Sequence, residues 1–119
     1  YVSCVPNALV LFNPVYDNGP TGYGYSRVKD RYKEISPLHN IRDGMPPAIV
    51  FLGTKDTLIP VSTGELFKEK MKAAGSDSVL KLYEGEPHGF FNQNKGDGSN
   101  YRDTVAAMDE FLKKHGFIE

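Results

Sequence analysis

The stretch Ala48-Ile49-Val50-Phe51-Leu52-Gly53-Thr54-Lys55-Asp56 decides the fold of this 119-residue chain. Its first five residues are all apolar and include β-branched and aromatic side chains, which at this length favour a strand over a helix. The run lacks the alternation of a half-exposed strand, so it suits a parallel sheet covered on both faces. Gly53 permits a tight exit from the strand, and Asp56 follows just beyond its end.

Two other runs predict strands. Ala8–Phe12 predicts a first strand, also buried on both faces of a sheet. Val79–Tyr83 predicts a third strand at a sheet edge, because its partial alternation places Lys81 outward. The first strand lacks alternation and needs cover on both faces, so we expect its outer edge to pair with polypeptide outside this chain or with another molecule.

Two strong helices accompany the three strands. One is predicted after Asp56, where Pro60 and the capping-box pattern of residues 62–65 start it and Gly75 ends it. The other is predicted to be capped by Asn100 and to carry an apolar stripe. The stripe consists of Val105, Met108 and Leu112. Strands alternating with helices predict an α/β fold of three layers, α/β/α, with about three parallel strands and two to three helices.

Composition excludes several classes of partner. The net charge is -1 and both signs are interspersed, so we predict neither a nucleic-acid nor a membrane partner. Cys4 is the single cysteine, and no cysteine or histidine cluster has the spacing of a metal site, so no metal or organic cofactor is predicted. No apolar run approaches eighteen residues. The compartment stays open.

Asp56 and His88 are the candidate catalytic residues. Each follows the end of a predicted strand by a few residues, and reactive groups of α/β sheets gather beyond those ends. A carboxylate that accepts a hydrogen bond from Nδ1–H fixes the imidazole tautomer and leaves Nε2 free to take a proton from a hydroxyl. We interpret Gly89 as making room for an approaching acyl group, and Phe90 and Phe91 as anchors of the histidine loop.

The other histidines and the serines lack this support. His39 has no carboxylate evidently placed for it, and His115 lies in the last turn of a helix, so both are interpreted as structural. A hydrolase of the Ser–Asp–His chain order carries its nucleophile in a G-x-S-x-G turn, and this pentapeptide does not occur in the sequence. The chain is therefore predicted to carry an acid and a base without a nucleophile.

These blocks resemble the α/β-hydrolase superfamily, and in particular esterase/lipase-like enzymes of the dienelactone hydrolase and acetyl-esterase groups. The most specific matches are Gly53–Pro60 and Glu86–Asn92, and supporting matches are Ala8–Pro14, Ser36–Leu38 and Pro46-Pro47. The resemblance implies that residues 1–119 are a single C-terminal segment of such a domain, with Asp56 as triad acid and His88 as base. It also implies that the nucleophile and the oxyanion hole lie upstream of the chain.

An intact enzyme of this kind hydrolyses a small acyl ester through an acyl-enzyme and needs no cofactor. The isolated chain is expected to be inactive, and its expected partners are the upstream half of the domain or a second copy at the first-strand edge. The long excursion of residues 15–43, with a short helix around 27–33, is expected to lie near the active-site mouth. Two alternatives stay open: the end of a prolyl-oligopeptidase-type serine peptidase, and a non-catalytic flavodoxin-like interaction domain.

Overall fold

The structure is a computed structural model that describes residues 2–119, so residue 1 of the predicted segment lies outside the described residues. Three parallel strands form one sheet in the order β1 (Leu9–Phe12), β2 (Ala48–Gly53) and β3 (Ser78–Tyr83). Two long helices, α2 (Val61–Ala73) and α3 (Ser99–Lys114), follow β2 and β3. The predicted α/β class, the number of strands and their parallel pairing are confirmed.

The sheet lies between two hydrophobic cores, because successive side chains of β2 point to opposite faces. Val50 and its alternate neighbours pack with α2, where Phe67 and Met71 are buried. Ile49 and Phe51 pack with α3. All six residues of β2 are buried, as expected for the central strand of a three-layer arrangement.

Strand β1 lies at one edge of the sheet. All four of its residues are only partly buried, although their side chains pack into the two cores, because β2 is the one neighbour that the described residues supply. The prediction of a fully covered strand was therefore too strong, whereas the predicted open edge is present. Strand β3 forms the opposite edge, as predicted. Its exposed residue is Leu82, while Lys81 turns toward α3 and contacts Asp103 at 3.3 Å.

The ends of α2 and α3 differ from the sequence predictions. Helix α2 begins at Val61, and no side chain caps it, so the predicted capping box does not form. Helix α3 begins at Ser99 after Gly98, whose φ of +76° ends the preceding turn. Asn100 is therefore inside the helix. The most buried face of α3 contains Thr104, Ala107 and Phe111, one position before each residue of the predicted stripe.

The excursion between β1 and β2 contains only short helical segments. These are α1 (Tyr25–Val28) and two 3₁₀ turns, Lys29–Glu34 and Pro37–His39. The predicted short helix is thus present, divided into an α and a 3₁₀ part. Tyr16 fixes the start of the excursion, since its ring is buried in the α2 core and stacks on Phe67 at a centroid distance of 4.5 Å.

Candidate active site

The Asp56 carboxylate is held by its own loop. Its side chain is completely buried, three residues beyond the end of β2. Oδ1 accepts the backbone N–H groups of Leu58 at 2.8 Å and Ile59 at 2.9 Å. These two bonds orient the carboxylate and leave Oδ2 to face another donor. The turn after β2 therefore holds the Asp56 carboxylate in a fixed orientation as a hydrogen-bond acceptor.

His88 is the residue that faces Asp56 Oδ2, with its Nδ1 at 2.8 Å. A carboxylate can only accept a hydrogen bond, so Nδ1 carries the proton and donates it. The neutral ring then has its free lone pair on Nε2. The imidazole is 44% exposed while its partner is fully buried, so the pair presents a basic nitrogen to the surface and hides the acid behind it.

The loops that carry this pair are fastened to each other. Lys55 donates its N–H to the carbonyl of Glu86 at 2.9 Å, and Gly85 donates its N–H to Thr54 Oγ1 at 2.7 Å. Gly53 is required for this approach, because a Cβ at that position would lie 2.2 Å from the Glu86 oxygen. The glycine after β2 therefore sets the separation of the Asp56 and His88 loops, rather than only easing the exit from the strand.

The histidine loop is anchored on its other side by aromatic side chains. Phe90 is buried in the α3 core and its ring lies 4.6 Å from that of Tyr83, and Phe91 packs beside it, as predicted. Gly89 has a backbone role as well, and the expected room for an acyl group stays a prediction. Its φ is +78°, a left-handed conformation that favours glycine, so the backbone turn requires it.

Asn13 is a residue that sequence reasoning missed. It follows β1 directly, and its Oδ1 accepts the N–H of Gly89 at 2.9 Å. In the sequence, Asn13 and Pro14 stood out only as the end of the Ala8–Pro14 block that supports the family resemblance. An asparagine before a proline, at the end of a strand next to a candidate active site, is a signal that could have drawn attention to it.

His39 belongs to a second cluster of serine, histidine and aspartate. Its Nδ1 lies 2.8 Å from Ser36 Oγ and 3.9 Å from Asp17 Oδ1, so the expectation that no carboxylate is placed near it was wrong. Both groups face the same nitrogen, whereas a triad needs one on each ring nitrogen. Ser36 is fully buried and holds two backbone groups of the excursion. The cluster therefore fixes a chain turn, and His39 keeps its structural interpretation.

His115 forms a surface contact at the end of α3. Its Nε2 lies 3.0 Å from an oxygen of Asp77, which Lys114 also contacts at 2.9 Å. The hydrogen bond from Lys114 is the main cause that lowers the pKa of Asp77. These contacts join the helix end to the start of β3, so the structural interpretation of His115 stands.

Within residues 2–119, no serine hydroxyl is hydrogen-bonded to His88, and no three potential metal ligands lie together. No helix of this part of the chain is long and apolar enough to cross a membrane. A cavity of about 380 Å³ lies between the excursion, at Tyr16 and Asp17, and the loop after Asp56, at Leu58 and Ile59.

A parallel sheet between two helical layers, with an aspartate and a histidine meeting beyond its strand ends, defines an α/β-hydrolase type of structure. The dienelactone hydrolase family profile matches residues 17–116. The chain belongs to the dienelactone hydrolase family. This membership agrees with the resemblance on which the sequence prediction rested.

Several of the proteins similar to this chain are esterases. Esterase LipC of Mycobacterium tuberculosis is 31% identical over 93 residues, which are 74% of this chain and 22% of that protein. Esterase 2 of Thermogutta terrifontis, phosphoramylated by tabun, matches with a TM-score of 0.86 and 45% identity over 94% of this chain and 42% of that one. Its propionate-bound form matches with a TM-score of 0.83 and 41% identity, covering 94% and 44%. The chain thus spans less than half of these proteins.

The esterase character of these relatives bears on the alternatives. Neither the prolyl-oligopeptidase-type peptidase nor the flavodoxin-like interaction domain is favoured by the comparisons. The comparisons support a family of hydrolases that includes esterases.

Proposed function

We propose that residues 1–119 are the C-terminal segment of a serine carboxylic-ester hydrolase domain and supply its acid, Asp56, and its base, His88. The observation that carries the proposal is the 2.8 Å hydrogen bond from His88 Nδ1 to Asp56 Oδ2, with the carboxylate buried and the imidazole exposed. The nucleophile and the oxyanion hole come from polypeptide outside these residues. The coverage of 42% and 44% of the solved esterase supports this division.

In this mechanism His88 moves the proton and Asp56 keeps the ring in place. Nε2 takes the proton of a serine hydroxyl as its oxygen attacks the ester carbonyl, and the imidazolium is stabilised by the buried carboxylate. Nε2–H then protonates the leaving alkoxide, which departs as the alcohol and leaves an acyl-enzyme. Water, deprotonated by the same Nε2, attacks the acyl-enzyme, and the proton returns to serine as the acid is released. No metal or organic cofactor takes part.

The burial of Asp56 is suited to this role. Its Oδ1 is already bonded to two backbone N–H groups, so the carboxylate does not rotate when charge develops on the imidazole. Water reaches the imidazole but not the carboxylate, which keeps the interaction between them strong. The pair is therefore organised before a substrate arrives.

A small acyl ester is the proposed substrate. The Thermogutta esterase has been solved with propionate and with butyrate, and both are short carboxylates. The cavity of about 380 Å³ between the excursion and the loop after Asp56 supports the placement of residues 15–43 near the active-site mouth. The free edge of β1 is the proposed docking edge for the upstream half of the domain.

A chimera tests the proposal directly. The matching segment of Thermogutta esterase 2 is replaced by residues 1–119, and hydrolysis of nitrophenyl acetate, propionate and octanoate is measured. We expect hydrolysis of the short esters, reduced by His88→Ala on the order of 10⁴-fold or more, because the triad acts as a unit. His39→Ala is the matched control, since this histidine also contacts a serine and an aspartate, and it should retain activity.

Two outcomes would contradict the proposal. One is a folded chimera whose activity survives both His88→Ala and Asp56→Asn. The other is turnover by residues 1–119 alone that His88→Ala abolishes, because a nucleophile would then lie within the chain.

A further inference from the structure

The most unusual backbone beside the proposed site is that of Asn13. Its φ is +43°, and only one other non-glycine residue among residues 2–119 has a positive φ. Pro14 follows it, and the residue before a proline normally has an extended backbone with negative φ. Asn13 is also buried, with 5% of its surface exposed. Asparagine tolerates the left-handed region better than most residues, which fits its presence here.

The side chain of Asn13 makes a connection that the sheet itself does not. Among residues 2–119, strand β1 pairs with β2 alone, so β1 and β3 are not neighbours. The N–H of Asn13 extends the β1–β2 ladder to the carbonyl of Phe51 at 3.0 Å. Its Oδ1, however, reaches past the end of β2 to the N–H of Gly89, the residue next to His88. One residue thus joins the end of β1 to β2 and to the loop that follows β3.

This arrangement is unfavourable for folding alone. A strained backbone disfavours the native state, and the buried Nδ2 of Asn13 has no partner within residues 2–119. Glycine at the same position would remove both penalties. Strain that persists beside a candidate active site is a reason to look for a function of the strained residue.

We propose that Asn13 is a positioning residue, which holds the His88 loop so that Nδ1 stays directed at Asp56. The inference rests on the proposed function, because it assigns Asn13 to the geometry of the same acid–base pair. Gly89 has a left-handed backbone and no side chain to restrain it, and the bond from its N–H to Asn13 Oδ1 restrains the amide that directly follows His88, while its carbonyl accepts a bond from Asn92 Nδ2 in the same loop. Without that bond the imidazole can turn away from the carboxylate, and the Nδ1–H tautomer loses its stabilisation.

The test uses ¹⁵N-labelled residues 1–119 and reads the imidazole directly. Long-range ¹H–¹⁵N correlation spectra in alkaline solution report which ring nitrogen of His88 carries the proton, and hydrogen exchange reports the Gly89 amide. We expect Nδ1–H in the wild type. Asn13→Gly should shift His88 toward the Nε2–H tautomer and speed exchange of the Gly89 amide about tenfold, as expected for one lost hydrogen bond.

Three companion variants separate the causes. Asn13→Asp keeps an oxygen at the Oδ1 position and should preserve both signals. Asn40→Gly makes the same substitution in the excursion, where the side chain contacts Lys33 and Ser36, and should leave His88 unchanged. Asp56→Asn removes the carboxylate that selects the tautomer and should abolish the Nδ1–H preference by itself.

Unchanged tautomer and exchange in Asn13→Gly would overturn the inference while leaving the Asp56–His88 pair intact. Loss of the Nδ1–H tautomer in a folded Asn13→Asp variant would also overturn it. Failure of Asn13→Gly to fold would do so as well, because the side chain would then serve the fold rather than the loop. A wild type without the Nδ1–H tautomer would contradict the proposed function itself.

Discussion

Gly53→Ala is expected to separate the two loops that carry Asp56 and His88. The new Cβ would lie 2.2 Å from the carbonyl oxygen of Glu86 and 3.0 Å from that of Pro87. Ordinary van der Waals contact begins at 3.4 Å, so the Glu86 oxygen has to retreat by about 1.2 Å. Neither obstacle is the flexible end of a side chain. Backbone on one side of the site must therefore move.

The expected loss of stability has two parts. Retreat of the Glu86 oxygen breaks the 2.9 Å hydrogen bond from the N–H of Lys55, which contributes about 1 kcal/mol. Displacing packed backbone adds about 1–3 kcal/mol. The free energy of unfolding should therefore fall by about 2–4 kcal/mol. A shift of about 1 Å in the His88 loop would also lower the activity of the chimera on the order of 10²-fold.

Urea unfolding followed by far-UV circular dichroism measures this effect. Because m is about 1–3 kcal/mol/M, a loss of 3 kcal/mol moves the midpoint by at least about 1 M. Gly64→Ala is the matched control. Its Cβ would meet only the methyl ends of Leu52 and Leu80, at 3.2 Å and 3.3 Å, and alanine gains about 1 kcal/mol in helix propensity. Equal midpoints for the two variants would refute the reasoning.

Three further predictions concern other contacts. The pKa of Asp103 is lowered, mainly by the Tyr83 hydroxyl, so its stabilisation exists above the unfolded-state pKa and is lost as pH falls through the folded-state value. Urea unfolding of Tyr83→Phe should thus vary less than the wild type between about pH 5 and 2. Ser36→Ala should lower the thermal stability by about 1–3 kcal/mol, because two backbone partners lose a buried hydroxyl, and unchanged melting would contradict that role. Alternate N–H groups of β1 point to β2, so the N–H of Val10 lies on the free edge of the sheet. The wild-type chain should therefore self-associate through this edge in sedimentation experiments, and Val10→Pro should reduce the association. Leu11→Pro serves as the control, because it removes an N–H that points to β2 and so breaks the β1–β2 ladder. If Val10→Pro associates as strongly as the wild type, self-association through the free edge of β1 is contradicted.

The positions of Asp56 and His88 could be predicted because both depend on strand ends. Three short apolar runs fix the strands, parallel pairing brings their carboxyl ends to one edge, and the two residues follow closely. The 2.8 Å contact in the structure needs no information beyond that topology and the turn that orients the carboxylate. The proximity of Asp56 and His88, which are far apart in sequence, was predictable because parallel strands bring their carboxyl ends to the same edge of the sheet.

The start of α2, the most buried face of α3 and the role of Asn13 were not predicted correctly from the sequence. Residues 62–65 match a capping box, but Pro60 already has the extended backbone that starts a helix, so the helix begins at Val61 instead. Met108 and Leu112 of the predicted α3 stripe do pack against the core, but the burial of Thr104, whose hydroxyl donates to the Tyr101 carbonyl, is not registered by a hydrophobic pattern. The role of Asn13 depends on a contact across 76 residues, and no local pattern encodes it.

Within the proposed hydrolase, assembly and catalytic geometry depend on the same strand. Asp56 is oriented by its own loop, so the acid is in place whether or not a nucleophile is present. His88 instead depends partly on Asn13, which projects from the end of β1. A strand paired to the free edge of β1 would hold the backbone that carries Asn13, and through Gly89 would steady the imidazole. Docking of the upstream half of the domain would then supply the nucleophile and restrain the His88 imidazole in one step.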